Sequence, residues 1–390
     1  MTNLRALALT DLLHDGALVE RLIASGEPLL VERADPGDAA AAVASLANTL
    51  GGWLLVGVAG DGEVTGLPYD FDVDALLDGK VDPPAPARAA TVDAAGRRIA
   101  VVRVAASADA PHMTADGTVL VRDHQGIEPA DGPALRALIE RGRRGDAAAR
   151  ERRHGMALIE EAMRTPERLP GDAPILDPDH YGHEAPLEFL VRGTPVTVTA
   201  ELRAKALTQA AADLAAAQAI PLLVDPDAVA HRVSTTIDGR TGGLYCIAER
   251  GEAPIFADLA IDAGGVVAAR LAERRRRDAT VSTAGLVDEV LLPLLRTVAG
   301  TLEGLDASGR ALVDLEIRGA ADLVVELTPD LTDAVRLDEL NDEDRLLLWE
   351  LALPASPADL EALAERWARG MARAAGLPAW EPQRGLSGEV

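Results

Sequence analysis

The first 60 residues alternate between helical and strand-like hydrophobic patterns. Residues 7–24 carry apolar side chains at helical spacing and predict one amphipathic helix that ends before Gly26. After the short strand PLLVER, the run AAAAVASLANTL predicts a second helix that ends near Gly51 and Gly52. WLLVGV, which follows, is apolar throughout and predicts a buried strand.

The next 85 or so residues continue this mixture of helix and strand. ARAATVDAAGRRIAVVRVAAS predicts a strand pair with a turn at residues 94–96, and TVLVRD predicts another strand. GPALRALIERGRR has a helical pattern that ends near Gly145. This order of elements predicts a compact α+β domain over residues 1–145.

The rest of the chain predicts a linker and a second domain. Residues 146–186 combine a charged helix with a proline-rich loop, which is typical of a linker. In residues 187–390, GLYCIAER, IFADLAID and GVVAARLAE alternate like strands of one sheet, and STAGLVDEVLLPLLRTVAGTLEGL predicts a long helix. Two further helices are predicted around residues 346–353 and 357–375. The second domain is therefore expected to be α/β with long helices.

Composition narrows the classes of partner. The 390 residues have a formal net charge of -25, which repels polyanions at long range, so any contact with nucleic acid must be local and an anionic membrane is not an expected partner. The start lacks a secretory signal pattern, and no apolar run is long enough to span a bilayer. With Cys246 as the single cysteine, we expect a cytoplasmic location.

Common enzyme motifs are missing from the sequence, and two other clusters of polar residues stand out. No GxxxxGK[ST], helix-opening GxGxxG or GxSxG motif is present, so an ATPase or a serine hydrolase is not indicated. DPDHYGH could hold zinc or iron or could be a polar linker; its metal-capable residues are Asp177, Asp179, His180 and His183. Basic side chains concentrate at Arg274 to Arg277 and in the linker, where self-paired charge runs and a nucleic-acid patch are both open.

The stretch LANTLGGWLLVGVAGDGEVTGL resembles the central signature of the Schlafen-associated, Alba-like DNA-binding domain family. In that family a Glu-Phe-Lys strand precedes a helix ending in Ala-Asn-Thr, then Gly-Gly, an apolar strand, Gly-Val, an acidic turn with Gly, and Gly-Leu. The corresponding residues here are Val31-Glu32-Arg33, Ala47-Asn48-Thr49, Gly51-Gly52, Gly57-Val58, Asp61-Gly62 and Gly66-Leu67. Later pieces, Val119-Leu120-Val121-Arg122 and Pro129-Ala130, are similar too. The resemblance covers roughly residues 5–142 and implies a Schlafen/Alba-like mixed sheet with helices.

The resemblance also implies a possible nuclease site. Animal Schlafen relatives include RNases that cut structured RNA, such as tRNA, with a cluster of acids and a divalent metal. Glu27 and Glu32 match the five-residue spacing of the first two acids, whereas the third acid's position is Gly60, with Asp61 next to it. Catalytic residues and Mg²⁺ or Mn²⁺ ligands would then be Glu27, Glu32 and Asp61. The alternative for these residues is a surface or structural role.

Phosphate contacts in a domain of this family would come from its strand arginines. Arginine on a strand can also serve as a charged edge against aggregation, so both interpretations stay open. The candidate nucleic-acid-binding residues are Arg33, Arg97, Arg98, Arg103 and Arg122.

Three functions follow from these patterns. The first is a nucleic-acid-associated regulatory or binding protein, which contacts RNA or DNA through its N-terminal domain. The second is a metal-dependent endoribonuclease acting on structured RNA. The third, favoured by the acidic charge, is a protein-interaction or assembly module that has lost nucleic-acid binding. The resemblance also implies a homo-oligomer, since modules of this family tend to work in pairs.

Overall fold

The computed structural model describes two compact units. It describes residues 4, 7–25, 27, 29–73, 75–77, 79–163, 187–206, 208, 231–238, 243–250, 255–262, 264–273, 280–282, 286–318, 324–326, 334–336 and 347–374. The N-terminal unit comprises Met1–Ala149 together with Pro195–Glu201 and Asp306–Arg310. The C-terminal unit comprises Arg150–Thr194, Leu202–Leu305 and Ala311–Val390.

The N-terminal unit is an α+β domain, as its patterns predict. Its described helices are α1 (Leu9–His14), α2 (Gly16–Ile23), α3 (Ala39–Asn48) and the beginning of α4 (Gly132–Met163). Its strands are β1 (Val31–Ala34), β2 (Gly51–Val56), β3 (Val81–Asp82), β4 (Ala87–Ala94), β5 (Arg97–Ala105), β6 (Met113–Thr114), β7 (Leu120–Arg122) and β8 (Ile127–Pro129).

A mixed four-stranded sheet forms the centre of the described N-terminal unit. Its order is β1-β2-β5-β4, with β1 parallel to β2 and the other pairs antiparallel. Strands β3 and β6 form one small pair, and β7 and β8 form another. The sheet therefore has the mixed character that the family resemblance implies.

Strand β2 is buried on both faces, which explains its unbroken apolar sequence. Trp53 and Leu55 belong to the core that includes α1 and α2, whereas Leu54 and Val56 pack with α3. Alternate side chains of a strand point to opposite faces, so helices cover both sides of the sheet here. Each fully buried leucine or valine contributes about 2 kcal/mol to folding, so this strand is a major source of stability.

The predicted single helix over residues 7–24 is wrong in one respect, because the structure divides it into α1 and α2. The division lies at Asp15, whose backbone is extended. Its Oδ1 accepts a hydrogen bond from the backbone N–H of Ala17 at 2.9 Å and so caps the N-terminus of α2. Hydrophobic periodicity alone does not detect such a break, since apolar residues continue on both sides of it.

The C-terminal unit is built on a large sheet with helices. Among the described residues it contains α5 (Ala200–Ala206, which starts in the N-terminal unit), a π-helical turn (Leu286–Leu291), α6 (Leu292–Gly304) and α7 (Pro357–Ala374). The strands are β9 (Leu187–Pro195), β10 (His231–Asp238), β11 (Gly243–Arg250), β12 (Ile255–Ile261), β13 (Val267–Glu273), β14 (Thr280–Ser282), β15 (Gly309–Arg318), β16 (Val324–Glu326), β17 (Ala334–Arg336) and β18 (Leu347–Leu353).

The described strands of this unit form a seven-stranded sheet of order β10-β11-β12-β13-β9-β15-β18 and a smaller sheet of order β14-β16-β17. The strands predicted from GLYCIAER, IFADLAID and GVVAARLAE are confirmed as β11, β12 and β13, and Cys246 lies on β11. No described helix is apolar over a stretch long enough to cross a lipid bilayer.

The two faces of the large sheet differ in chemistry at β9 and β15. On one face Gly193 abuts α6, since a Cβ there would lie 2.5 Å from Val298 Cγ1. On the other face Arg192 donates to Asp314 at 2.7 Å and to Glu316 at 2.6 Å. Burial raises the pKa of the Asp314 carboxyl, and the neighbouring arginines oppose that rise. The cost of removing these charges from water offsets much of their attraction, so a buried ion cluster of this kind is weak evidence of added stability.

Two further element predictions are corrected by the structure. The segment around residues 346–353, predicted as helix, is the edge strand β18. A short apolar run such as LLLWELAL fits a buried strand as well as a helix. Helix α4 continues past Gly145 to Met163 instead of ending there. The helix predicted at 357–375 is confirmed as α7.

Candidate nucleic-acid interface

Asn48 of the Ala-Asn-Thr motif is a buried internal anchor. Its side chain is at the end of α3, where Nδ2 donates to the carbonyl oxygens of His112 at 2.9 Å and Leu120 at 2.8 Å. Its Oδ1 accepts the backbone N–H of His112 at 2.8 Å. A buried amide with all these partners fixes the chain that leads into β6 and β7 against α3. Asn48 therefore holds the fold together rather than facing a ligand.

Thr49 and Arg141 complete the polar end of α3. Thr49 Oγ1 donates to the carbonyl of Ser45 at 2.8 Å and accepts the backbone N–H of Arg122 at 3.0 Å. Arg141 of α4 donates through Nη1 to the carbonyl of Asn48 at 2.9 Å. A cation that binds the last carbonyls of a helix satisfies them and complements the helix dipole. The desolvation of Arg141 lowers its pKa.

The Gly-Gly pair is required by close backbone packing. Gly51 and Gly52 have φ values of +68° and +156°, which most side chains avoid. A Cβ on Gly52 would lie 2.3 Å from the carbonyl oxygen of Leu30, and one on Gly51 would lie 2.6 Å from Val104 O. The glycines thus let β2 enter the sheet between β1 and β5.

Arg122 and Glu32 form an ion pair inside the N-terminal unit. The Arg122 side chain is 3% exposed and that of Glu32 is 22% exposed. Glu32 lies between Val31 and Arg33 on β1, so it points to the face opposite theirs. This places Glu32 on the side of α3 and β7, where it meets Arg122. The geometry gives both residues an internal electrostatic role.

Arg33 and Asp61 both line an open pocket on the other side of the sheet. The pocket has a volume of about 500 Å³ and is also lined by Glu20 and Ser25. Arg33 Nη2 donates to the carbonyls of Ile23 at 2.6 Å and Ser25 at 2.8 Å, which caps the end of α2. Asp61 Oδ1 accepts the backbone N–H of Glu63 at 2.9 Å and so stabilises its own turn.

The three predicted acids are not gathered into one cluster. Glu27 is exposed in the segment before β1, Glu32 pairs with Arg122, and Asp61 lines the pocket with Arg33. Within the described part of the chain, no group of three or more His, Cys, Asp or Glu side chains could hold a metal ion. Metal binding and catalysis by these acids stay predictions.

Arg103 packs on an aromatic ring rather than facing outward. Its guanidinium carbon lies 5.1 Å from the centroid of the Trp53 ring, and Nη1 donates to the carbonyl of Gly52 at 3.2 Å. Burial lowers its pKa, and the negative charge of Glu201 raises it. Cation–π packing and this hydrogen bond give Arg103 a structural role at the centre of the sheet.

Arg97 and Arg98 lie at the start of β5, where Arg97 is exposed and Arg98 is half-buried. Arg97 Nη1 donates to the carbonyl of Thr65 at 2.8 Å, and Arg98 Nη1 donates to the carbonyl of Tyr69 at 2.5 Å. Carbonyl oxygens neutralise no charge, so both cations can still attract an anion. Of the five predicted arginines, these two are placed best for phosphate contact.

Two residues that the sequence patterns did not single out matter to this unit. Tyr69 is 91% exposed and its ring lies 5.7 Å from the guanidinium carbon of Arg98. His112 is fully buried, and its Nδ1 lies 2.7 Å from the carbonyl of Pro83, which requires the tautomer with hydrogen on Nδ1. The scarcity of aromatics, 3% of the chain, could have drawn attention to Tyr69. No sequence signal marks His112.

Two other predicted clusters cannot be placed. The metal-capable set Asp177, Asp179, His180 and His183 lies outside the described residues, and so do Arg274 to Arg277. The arginines at and just before the linker lie on α4 and are described, namely Arg141, Arg143, Arg144, Arg150, Arg152 and Arg153. Some of them are engaged internally: Arg153 pairs with Asp314 at 3.2 Å, and Arg141 caps α3.

Comparison with known proteins finds one family model that matches the N-terminal part of the chain. The family model described as Schlafen, AlbA_2 matches residues 30–131. These residues therefore match a Schlafen AlbA_2 domain. The matched residues include the whole of α3 and of strands β1 to β8. They also contain Asn48, Gly51 and Gly52, whose contacts are described above. The resemblance that the signature indicates is thus confirmed.

The remaining comparisons add little to the AlbA_2 assignment. One similar solved structure is the crystal structure of the DIP2311 protein from Corynebacterium diphtheriae, with 23% identity and a TM-score of 0.25. The likeness covers 31% of this chain and only 27% of that one, so it carries no argument about function. No curated protein matches the chain.

Proposed function

We propose that the protein is a nucleic-acid-associated regulatory or binding protein that contacts RNA or DNA through its AlbA_2 domain. The match of residues 30–131 to a family associated with nucleic acids is the observation that supports this most. Two arginines of the β4–β5 hairpin, the exposed Arg97 and the half-buried Arg98, supply a local positive site in the same domain.

The contact is expected to be small and sensitive to salt. Arg33, Arg103 and Arg122 are engaged by carbonyls, an aromatic ring and a carboxylate respectively, which leaves Arg97 and Arg98 as the principal phosphate contacts among the predicted residues. Two phosphate contacts give a slope of about -2 for the logarithm of the binding constant against that of salt concentration. The net charge of -25 opposes any wider electrostatic footprint.

Fluorescence anisotropy of labelled RNA and DNA with the full chain tests this proposal. We expect the double variant Arg97→Gln/Arg98→Gln to weaken binding about tenfold and to flatten the salt slope by about two. Arg366→Gln/Arg369→Gln is a matched control, since it removes the same charge from exposed positions on α7 in the other unit. Equal binding by both double variants would contradict the proposed interface. Absence of binding at low salt would leave the protein-assembly function.

The pocket beside Asp61 keeps an endoribonuclease as a second candidate. Gly60, at the position of the family's third acid, also lines this pocket, and a Cβ added to it meets nothing within 4 Å. The substitution Gly60→Asp is therefore sterically tolerated there.

Incubation of a tRNA pool with and without Mn²⁺ distinguishes the nuclease from the binding protein. The nuclease requires Mn²⁺-dependent cleavage that Glu27→Ala or Asp61→Ala abolishes and Gly60→Asp increases. Glu32→Ala is a poorer test, since it removes the carboxylate that pairs with the buried Arg122 and can act through stability alone. Binding without cleavage in all these proteins supports the binding function.

A further inference from the structure

Tyr69 is held in an exposed position by its neighbours. It lies in the loop between β2 and β3, and at 91% it has the highest exposure of any large hydrophobic side chain in the described chain. On either side of it, Leu67 and Phe71 pack against the core next to α3. The backbone N–H of Leu67 also donates to the carbonyl of Arg98 at 2.7 Å. The loop is anchored at both sides of the tyrosine, so its exposure is a feature of a fixed backbone.

Arg98 orients the loop and lies beside the ring. Its Nη1 donates to the carbonyl of Tyr69 at 2.5 Å, and its Nη2 donates to Thr91 Oγ1 at 3.2 Å. These two contacts place the guanidinium carbon 5.7 Å from the centre of the Tyr69 ring. A ring that is held by a cation and exposed to solvent is ready to stack without first being ordered.

The charges around the ring favour a base over a phosphate. Asp70 and Asp72 follow Tyr69 in the loop, next to the ring in sequence. These carboxylates repel phosphate, whereas the uncharged face of a nucleobase meets no such repulsion. Aromatic rings stack on bases of any sequence, but only on bases that are unpaired and can be splayed out.

We infer that Tyr69, supported by Arg98, is a stacking platform for an unpaired base of single-stranded nucleic acid. This inference rests on the proposed function and defines its substrate class. Arg97 and Arg98 attract the backbone at the start of β5, and the Tyr69 ring binds one base next to it. Single-stranded segments therefore bind more tightly than a duplex of the same length.

The test compares a labelled 12-nucleotide single strand with the matching blunt duplex, by anisotropy with the full chain. Tyr69→Ala is expected to raise the dissociation constant of the single strand about tenfold, and Tyr69→Phe is expected to keep it within about twofold, because it retains the ring. Duplex binding and the salt slope stay as in the wild type, since no phosphate contact is lost. Leu50→Ala is the matched control, a truncation of another exposed apolar residue, 54% exposed.

The outcomes separate the stacking platform from the proposed function. Single-strand binding by Tyr69→Ala that equals wild type, with the Arg97→Gln/Arg98→Gln variant impaired, overturns the stacking platform and leaves the proposed function intact. Equal loss of duplex and single-strand binding in Tyr69→Ala also overturns it, because a stacking ring contributes nothing to a closed duplex. Failure of the wild type to bind either nucleic acid removes the proposed function itself, and the platform with it.

Discussion

At the scale of single residues, the family signature describes how the domain folds more than what it binds. Asn48 makes its hydrogen bonds to backbone groups inside the unit, and Gly51 and Gly52 allow backbone contacts that any Cβ would block. Arg122, at the end of the later strand motif, is buried against Glu32. A binding surface must therefore be sought at exposed residues outside the signature, such as Arg97 and Tyr69.

His112 gives the N-terminal unit a pH-dependent stability. Its pKa is lowered to about 4, mainly by burial, with Arg141 and Arg310 adding to the effect and the hydrogen bond to Pro83 opposing it. The ordinary value is 6.5, so between pH 6.5 and 4 the unfolded chain binds a proton that the folded chain does not. The neutral His112 therefore makes its full contribution to the free energy of unfolding above pH 6.5. The free energy of unfolding decreases on acidification, by about 3 kcal/mol in total at pH 4 and below.

Urea unfolding at a series of pH values measures this effect. The variant His112→Gln can still donate to the Pro83 carbonyl and does not titrate, so its unfolding free energy is expected to fall less steeply than that of the wild type between pH 6.5 and 4. Parallel curves for the two proteins would show that His112 is protonated equally in the folded and unfolded states.

At the scale of elements, the hydrophobic pattern correctly predicted the helices and strands that are determined by their own residues. The structure agrees with the sequence for helix α3, strand β2 and the β4–β5 hairpin with its turn at Ala95 and Gly96. Hydrophobic periodicity and turn glycines determine such elements through the residues of the element itself. The misassigned β18 is different, since its strand state depends on pairing with β15, far away in sequence. Local pattern cannot supply such a partner.

The unpredicted length of α4 has a similar cause and leads to a test. Gly145 suggests a helix end, yet it and Gly142 both lie within α4 and face the loop after β5. A Cβ on Gly142 would lie 2.0 Å from the carbonyl oxygen of Ala110, and one on Gly145 would lie 2.1 Å from that of Ala108. Tertiary packing, which the sequence does not display, thus selects glycine here.

Substitution of these glycines by alanine should reverse the usual sign of such a change. In an open helix, glycine to alanine stabilises by up to about 1 kcal/mol, whereas Gly142→Ala and Gly145→Ala are each expected to lower the free energy of unfolding by about 2 kcal/mol or more. Gly16→Ala at the start of α2 is the control, because a Cβ there meets nothing within 4 Å. Urea denaturation gives the three values, and stabilisation at position 145 would contradict the close approach.

At the scale of the whole molecule, the N-terminal unit is completed by segments from far along the chain. Thr197 Oγ1 accepts the backbone N–H of Ala108 at 3.0 Å, and Arg310 binds Asp109 through two hydrogen bonds of 2.8 and 2.5 Å. Nothing in the sequence marks these later residues as parts of the first domain.

For the same reason the site was only partly predictable from the sequence. The sequence indicates Arg33 and Arg122 as cations, but only the fold shows that they face carbonyls and a carboxylate.

Removal of Arg310 tests how far the N-terminal unit depends on this late segment. The Asp109 side chain is 6% exposed, so Arg310→Met leaves a buried carboxylate with its chief cation gone and is expected to cost about 3 kcal/mol of unfolding free energy. Combination with Asp109→Asn should recover part of the loss, since the amide carries no charge. Arg144→Met, on the exposed surface of α4 with a side chain 74% exposed, should cost less than about 1 kcal/mol. If Arg310→Met cost no more than Arg144→Met in urea denaturation, the N-terminal unit would not depend on the Asp306–Arg310 segment for its stability.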